Sequence, residues 1–95
     1  MPIETKKLDI ADWLETDEDV LGFLEELAET GSPKEFLHGL RTAARSKGMT
    51  TLAKNMGVSR TSLYKSLAED GNPTFATVYR IVQALGLRLK VDKVA

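Results

Sequence analysis

Two short apolar rhythms meet at a glycine in GMTTLAKNMGVSRTSLYK, residues 48–65, and this pair constrains the fold more than any other stretch. Leu52, Ala53 and Met56 recur at helical spacing, Gly57 interrupts them, Val58 returns to the apolar side, and Leu63 and Leu67 stand four apart beyond it. A glycine there permits the positive φ of a tight turn, and Ser59, directly ahead of a helix, can accept from a first-turn amide. The spacing predicts one short helix over Thr51–Met56, capped by Thr50, and a second from Arg60 to about Ala68. Ala53 is small where the two must cross closely. Two steeply crossed helices joined by such a turn make a helix-turn-helix unit.

Three further helices are punctuated just as clearly. Thr16 with Asp19 resembles a capping box and starts a helix at Asp17, with Val20, Leu21, Leu24, Leu27 and Ala28 as its apolar stripe and Gly31 as a left-handed stop. Ser32, Pro33 and Glu35 form the clearest start in the chain, followed by Leu37, Leu40 and Ala44, with Phe36 at the edge and Gly48 at the end. Gly39 costs that helix about 1 kcal/mol against alanine. Gly71, Asn72 and Pro73 forbid continued helix, Thr74 caps the last one, and Val78, Ile81, Val82 and Leu85 face inward before Gly86. Residues 3–8 look extended, and one turn from Asp9 to Leu14 is expected to dock Trp13. The tail LRLKVDKV alternates Leu87, Leu89 and Val91 with charged residues, a strand pattern that needs a partner, either the N-terminal segment or its twin in a dimer.

A chain of 95 residues holds one core. The expectation is an all-α, five-helix domain containing a helix-turn-helix, with short β-strands at its termini. Residues 1–32 would form an acidic arm and helix, and residues 33–95 the helix-turn-helix core with its C-terminal strand.

Turning Leu63 and Leu67 inward sends Thr61, Tyr64, Lys65 and Ala68 outward, with Arg60 in the first turn. A recognition helix enters the major groove by its N-terminal residues, so Ser59, Arg60, Thr61, Tyr64 and Lys65 are the candidates for base edges. Arg60 suits guanine, whose O6 and N7 match a bidentate guanidinium. Thr50, Thr51 and Lys54, at the preceding helix, are candidates for phosphate, as are Asn72 and Thr74 beside the recognition helix. The competing reading is a helical hairpin with a hydrophilic surface.

Charge divides the chain. Residues 1–33 set two lysines against ten acids, whereas residues 34–95 set eleven Lys and Arg against four acids. An acidic section suits a basic partner and a basic section suits a polyanion. Lys34, His38, Arg41 and Arg45 add a basic stripe within about 60° on a helical wheel, which points His38 toward solvent. With no cysteine and one histidine, no thiolate metal site and little catalytic apparatus is available. Ser62 and Lys65 match S-x-x-K, but the partner motifs of serine acyl-enzymes are missing. No catalytic residue, cofactor, metal or small-molecule substrate is therefore expected. No tract approaches the roughly 18 apolar residues of a membrane span, and MPIETKKLDIADW is not a secretory signal, so a cytoplasmic protein is expected.

The stretches DEDVLGFLEEL, SPKEFLHGLRTAARSKGMTTLAKNMGVSRTSLYKSL and GNPTFATVYRIVQALGLRL resemble the addiction-module antidote proteins of bacterial toxin-antitoxin pairs, of the HigA-like kind. The resemblance runs from about Leu8 to Leu89, and GMTTLA, GVSRTSLYK and GNPTFAT are its most specific pieces. It implies a lambda-repressor-like helical domain that dimerises, binds its own operator and neutralises a RelE- or ParE-type toxin. The DNA-facing positions implied are again Ser59, Arg60, Thr61, Tyr64 and Lys65. Ser66 departs from the wider repressor pattern, where an apolar residue is commoner. The resemblance also gives the acidic first segment a purpose, since toxins of that type are basic; Trp13, Glu18, Glu25 and Glu29 are the candidate toxin contacts. The alternative is a stand-alone, phage-type regulator without a toxin partner.

Overall fold

The computed structural model describes residues 10–68 and 71–94; the expected extended segment at residues 3–8 lies outside them. A 3-10 turn at Ile10–Trp13 precedes five helices: α1 (Asp17–Thr30), α2 (Pro33–Lys47), α3 (Met49–Met56), α4 (Arg60–Ser66) and α5 (Phe75–Ala84). The described residues form an all-α, five-helix bundle with no strand. The tail after Gly86 forms no strand, because a ladder needs a second segment and no described segment supplies it.

Leu40, Leu52, Leu63 and Ile81, one each from α2 to α5, are fully buried at the centre, and Val20 and Leu24 close the core from α1. Both expected capping boxes are present. Thr16 Oγ1 accepts from Asp19 N at 3.1 Å, while the Asp19 carboxylate accepts from Glu15 N and Thr16 N at 3.0 and 3.1 Å. Those two backbone donors, first Glu15 and then Thr16, hold the Asp19 carboxyl below its ordinary value by stabilising the charged form. At α2, Ser32 Oγ accepts from Glu35 N at 3.1 Å and Glu35 Oε1 accepts from Ser32 N at 2.7 Å.

Several expectations need correction. Gly31 is extended, at φ −92° and ψ 168°, so left-handed geometry is not its purpose. A Cβ there would lie 2.7 Å from the Leu27 carbonyl oxygen, so the glycine answers a contact. The stripe of α1 is rotated: Phe23 packs on the core, whereas Leu21 and Ala28 are exposed. Gly39 is more than a propensity cost, because a Cβ there would run into Leu27 Cδ1, and its absence lets α1 and α2 approach closely. Trp13 is 67% exposed and does not dock; Leu14 packs on the core instead. The Leu14 carbonyl is tied to α2 by Ser46 Oγ, which donates to it at 2.7 Å.

The first helix of the predicted pair starts earlier than expected. Burial of Met49 draws it into α3, so Gly48, at φ 103°, ends α2 and caps α3 with backbone alone. Thr50 is therefore inside the first turn, not its cap. Gly57 is left-handed, at φ 71° and ψ 29°, and Val58 N donates back to Ala53 O at 3.1 Å, closing the turn as expected. Ser59 Oγ accepts from Ser62 N at 3.0 Å, and α4 ends at Ser66 with Leu67 still buried.

Candidate nucleic-acid interface

Leu63 and Leu67 anchor α4 from behind at 1% and 3% exposure, which leaves the opposite side of this short helix in solvent. Ser59, Arg60, Thr61, Tyr64 and Lys65 are all exposed, as the helical phase requires. Two of them are joined. Arg60 is four residues before Tyr64, its guanidinium carbon stands 5.5 Å from the Tyr64 ring centroid, and its Nη2 donates to Tyr64 Oη at 3.4 Å. A cation over an exposed aromatic ring is worth about 0.5–1 kcal/mol, enough to bias a long side chain toward one placement. Arg60 is therefore partly ordered across the first turns of α4 before any partner arrives.

The second group stands on α3 and after α4. Thr50, Thr51 and Lys54 are exposed, and because Gly48 supplies no side-chain cap, the first-turn amides of α3 have no side-chain acceptor. Asn72 and Thr74 are exposed in the α4–α5 connection, where Thr74 Oγ1 accepts from Thr77 N at 3.2 Å. No side-chain hydrogen bond joins these residues to those of α4 among the described residues. What unites them is exposure, together with the charge of the stretch from α2 to α4: residues 36–68 contain no Asp or Glu but six Lys and Arg, and the first acids after them in sequence are Glu69 and Asp70, ahead of Asn72. The α3–α4 stretch can attract a polyanion.

Glu18, Glu25 and Glu29 are exposed along one stripe of α1, and Trp13 is exposed just ahead of it. On α2, Arg41 Nη2 donates to His38 Nδ1 at 2.9 Å, so the single histidine sits within the basic stripe. Among the described residues no group of His, Asp or Glu is placed to hold a metal ion, and no helix is long and apolar enough to cross a membrane.

Two features escaped the sequence reading. Arg80 of α5 donates through Nη2 to the carbonyl of Met56, the last residue of α3, at 2.6 Å. It thereby satisfies a helix-end acceptor and fixes the turn against α5. Phe75 and Tyr79, four apart on α5, are 72% and 42% exposed with ring centroids 6.1 Å apart. Their spacing was visible at the edge of the α5 stripe, but only the position of the helix shows that nothing covers them.

Comparison with known proteins accounts for nearly the whole chain. Residues 4–93 match a family model described as "Probable addiction module antidote protein". The chain is also 36% identical over 93 residues to an uncharacterized protein of Haemophilus influenzae, covering 98% of this chain and 96% of that one. No solved structure matches. Proteins of the matched family are antidotes, regulatory and not catalytic. With its five helices, its Gly57 turn and a match spanning residues 4–93, this chain belongs to the addiction-module antidote protein family.

Proposed function

We propose that this antidote is a HigA-like antitoxin with a lambda-repressor-like helix-turn-helix, which binds its own operator as a two-fold dimer in the cytoplasm and neutralises a basic RelE- or ParE-type toxin. The observation that carries the DNA half of this reading is the solvent-facing side of α4, where Arg60 rests on Tyr64 and Thr61 and Lys65 are exposed beside them. In this reading α3 and α4 form the reading unit: Ser59, Arg60, Thr61, Tyr64 and Lys65 reach base edges, and Arg60 takes a guanine. Thr50, Thr51, Lys54, Asn72 and Thr74 hold phosphates and set register.

The acidic part, residues 1–32, covers the toxin through Trp13, Glu18, Glu25 and Glu29; the exposure of all four, with the three glutamates along one stripe of α1, supports the assignment. A titration of duplex from the region upstream of the gene tests the DNA half. A retarded complex that weakens steeply between low and physiological salt is expected, since each neutralised phosphate releases counterions. Co-expression with the neighbouring gene product tests the toxin half. Reversing Glu18 to lysine is expected to weaken the toxin complex while leaving operator affinity nearly intact; unchanged toxin binding refutes the assignment.

A further inference from the structure

The tail beyond Gly86 is an unusual surface for a protein that ends its core with α5. Leu87 packs on the core, but Leu89 is 38% exposed and Val91 and Val94 are each 96% exposed. Arg88, Lys90 and Asp92 alternate with them. Apart from Lys93 N donating to Asp92 Oδ1, no hydrogen bond engages residues 88–94 among the described residues. A segment that alternates apolar and charged residues and makes no backbone hydrogen bond to the described residues can serve as a template for pairing. Beside it lies a groove floored by Leu24, Phe36 and Val82, with Leu21 and Ala28 on the α1 wall and Leu89 on the tail wall.

The rims of this groove select its occupant. Glu25 and Glu29 line the α1 side, whereas Arg88, Lys90 and Asp92 line the tail side. A basic toxin would meet two cations there as well as three acids. A second copy turned about a two-fold axis offers its own mixed charges, so that acids and cations can face one another. No residue of α3 or α4 lines the groove, so occupation by a copy leaves the α4 surface uncovered.

We infer that two copies of this chain associate through the groove between α1 and the tail, with residues 88–92 of the two tails paired antiparallel. This rests on the two-fold dimer of the proposed function and supplies its surface. Register follows from the side chains. With Lys90 opposite its own twin, each Leu89 stands opposite Val91 and each Arg88 opposite Asp92, giving two apolar and two ion pairs against one lysine–lysine pair on the axis. A shift that places Val91 on the axis keeps two ion pairs, Lys90 opposite Asp92, but leaves a single apolar pair, Val91 with its twin, and sets Leu89 opposite Lys93 and Arg88 opposite Val94. A two-stranded ribbon alone is small against the order of 1,000 Å² that a stable interface needs, so the α1 wall with Leu21 and Ala28 belongs to the contact. Glu25 and Glu29 then border the dimer, leaving Trp13 and Glu18 as the toxin contacts furthest from it in sequence.

Sedimentation equilibrium of the full chain alone, without DNA or toxin, is the test. The native chain is expected to be a dimer, and Val91→Asp to weaken it at least about tenfold. Val91 is almost wholly in solvent, so an unchanged circular-dichroism melt is expected to accompany that loss. Because the chain has no cysteine, Lys90→Cys provides an independent reading: oxidation is expected to yield a covalent dimer, whereas Val94→Cys does so poorly. A monomeric native chain, a dimer indifferent to Val91→Asp, or a Lys90→Cys chain that fails to cross-link overturns the inference. So does a Val91→Asp chain that stays dimeric but loses toxin. Failure of the DNA reading is distinguishable, since a chain that dimerises through this surface but shifts no duplex sinks that reading alone.

Discussion

Arg60 concentrates the account at the scale of one side chain. Its guanidinium is held over Tyr64, so removing either residue has separable consequences. Arg60→Ala is expected to lose about 1–3 kcal/mol of operator affinity and to relax discrimination at one base pair, read by titrating matched and single-substituted duplexes. Tyr64→Phe keeps the ring and loses only the long Oη contact, so most affinity is expected to survive it; Tyr64→Ala is expected to cost more. Arg80 acts on stability instead. Arg80→Ala leaves the Met56 carbonyl without its partner, and a loss of about 1–3 kcal/mol in denaturant unfolding is expected. Asp19 sets a pH dependence of definite sign. Its folded carboxyl is held below the ordinary value, so its stabilisation is present at neutral pH and is lost as pH falls toward that lowered value. Asp19→Asn is expected to flatten the acid limb of the melting temperature against pH, and an unaltered limb would assign acid sensitivity elsewhere.

The helices show which instructions were legible locally. Thr16, Ser32, Ser59 and Thr74 each bond the amide expected of a cap, because capping is a relation between residues three apart. The inward turn of Leu63 and Leu67 was legible for the same reason, being a matter of phase within one helix. Helix-to-helix contacts were not legible. Gly39 looked like a weak helix residue, yet its bare Cα is where Leu27 of α1 arrives. Trp13 looked like an anchor, yet Leu14 fills the space and Ser46, thirty-two residues away, holds that carbonyl. Thr50 looked like a cap because threonine caps helices, but burial of Met49 outweighed it and left Gly48 in that place. Gly39→Ala tests this difference. Propensity alone forecasts a gain of about 1 kcal/mol, whereas the Leu27 contact forecasts a loss of about 1–3 kcal/mol in chemical denaturation. Gly22, with open space around its Cα on the exposed side of α1, is expected to show the gain instead when changed to alanine.

Across the whole molecule, the near-neutral net charge of −1 conceals two oppositely charged segments. The acids are concentrated before residue 34, and residues 36–68 have none, so an acidic helix and a cationic one share one small core. That division was visible in composition; the groove by the tail was not, since Leu21, Phe36, Val82 and Leu89 lie on four separate segments. The central claim is that the outward side of α4 meets a duplex while Leu63 and Leu67 hold it from behind. Chemical-shift mapping of the labelled chain with duplex from upstream of its gene tests this most directly. The largest amide shifts are expected from Ser59 to Lys65, with smaller ones at Thr50, Thr51 and Thr74. If those amides stay still while resonances elsewhere move, or if no resonance moves at all, the claim is contradicted.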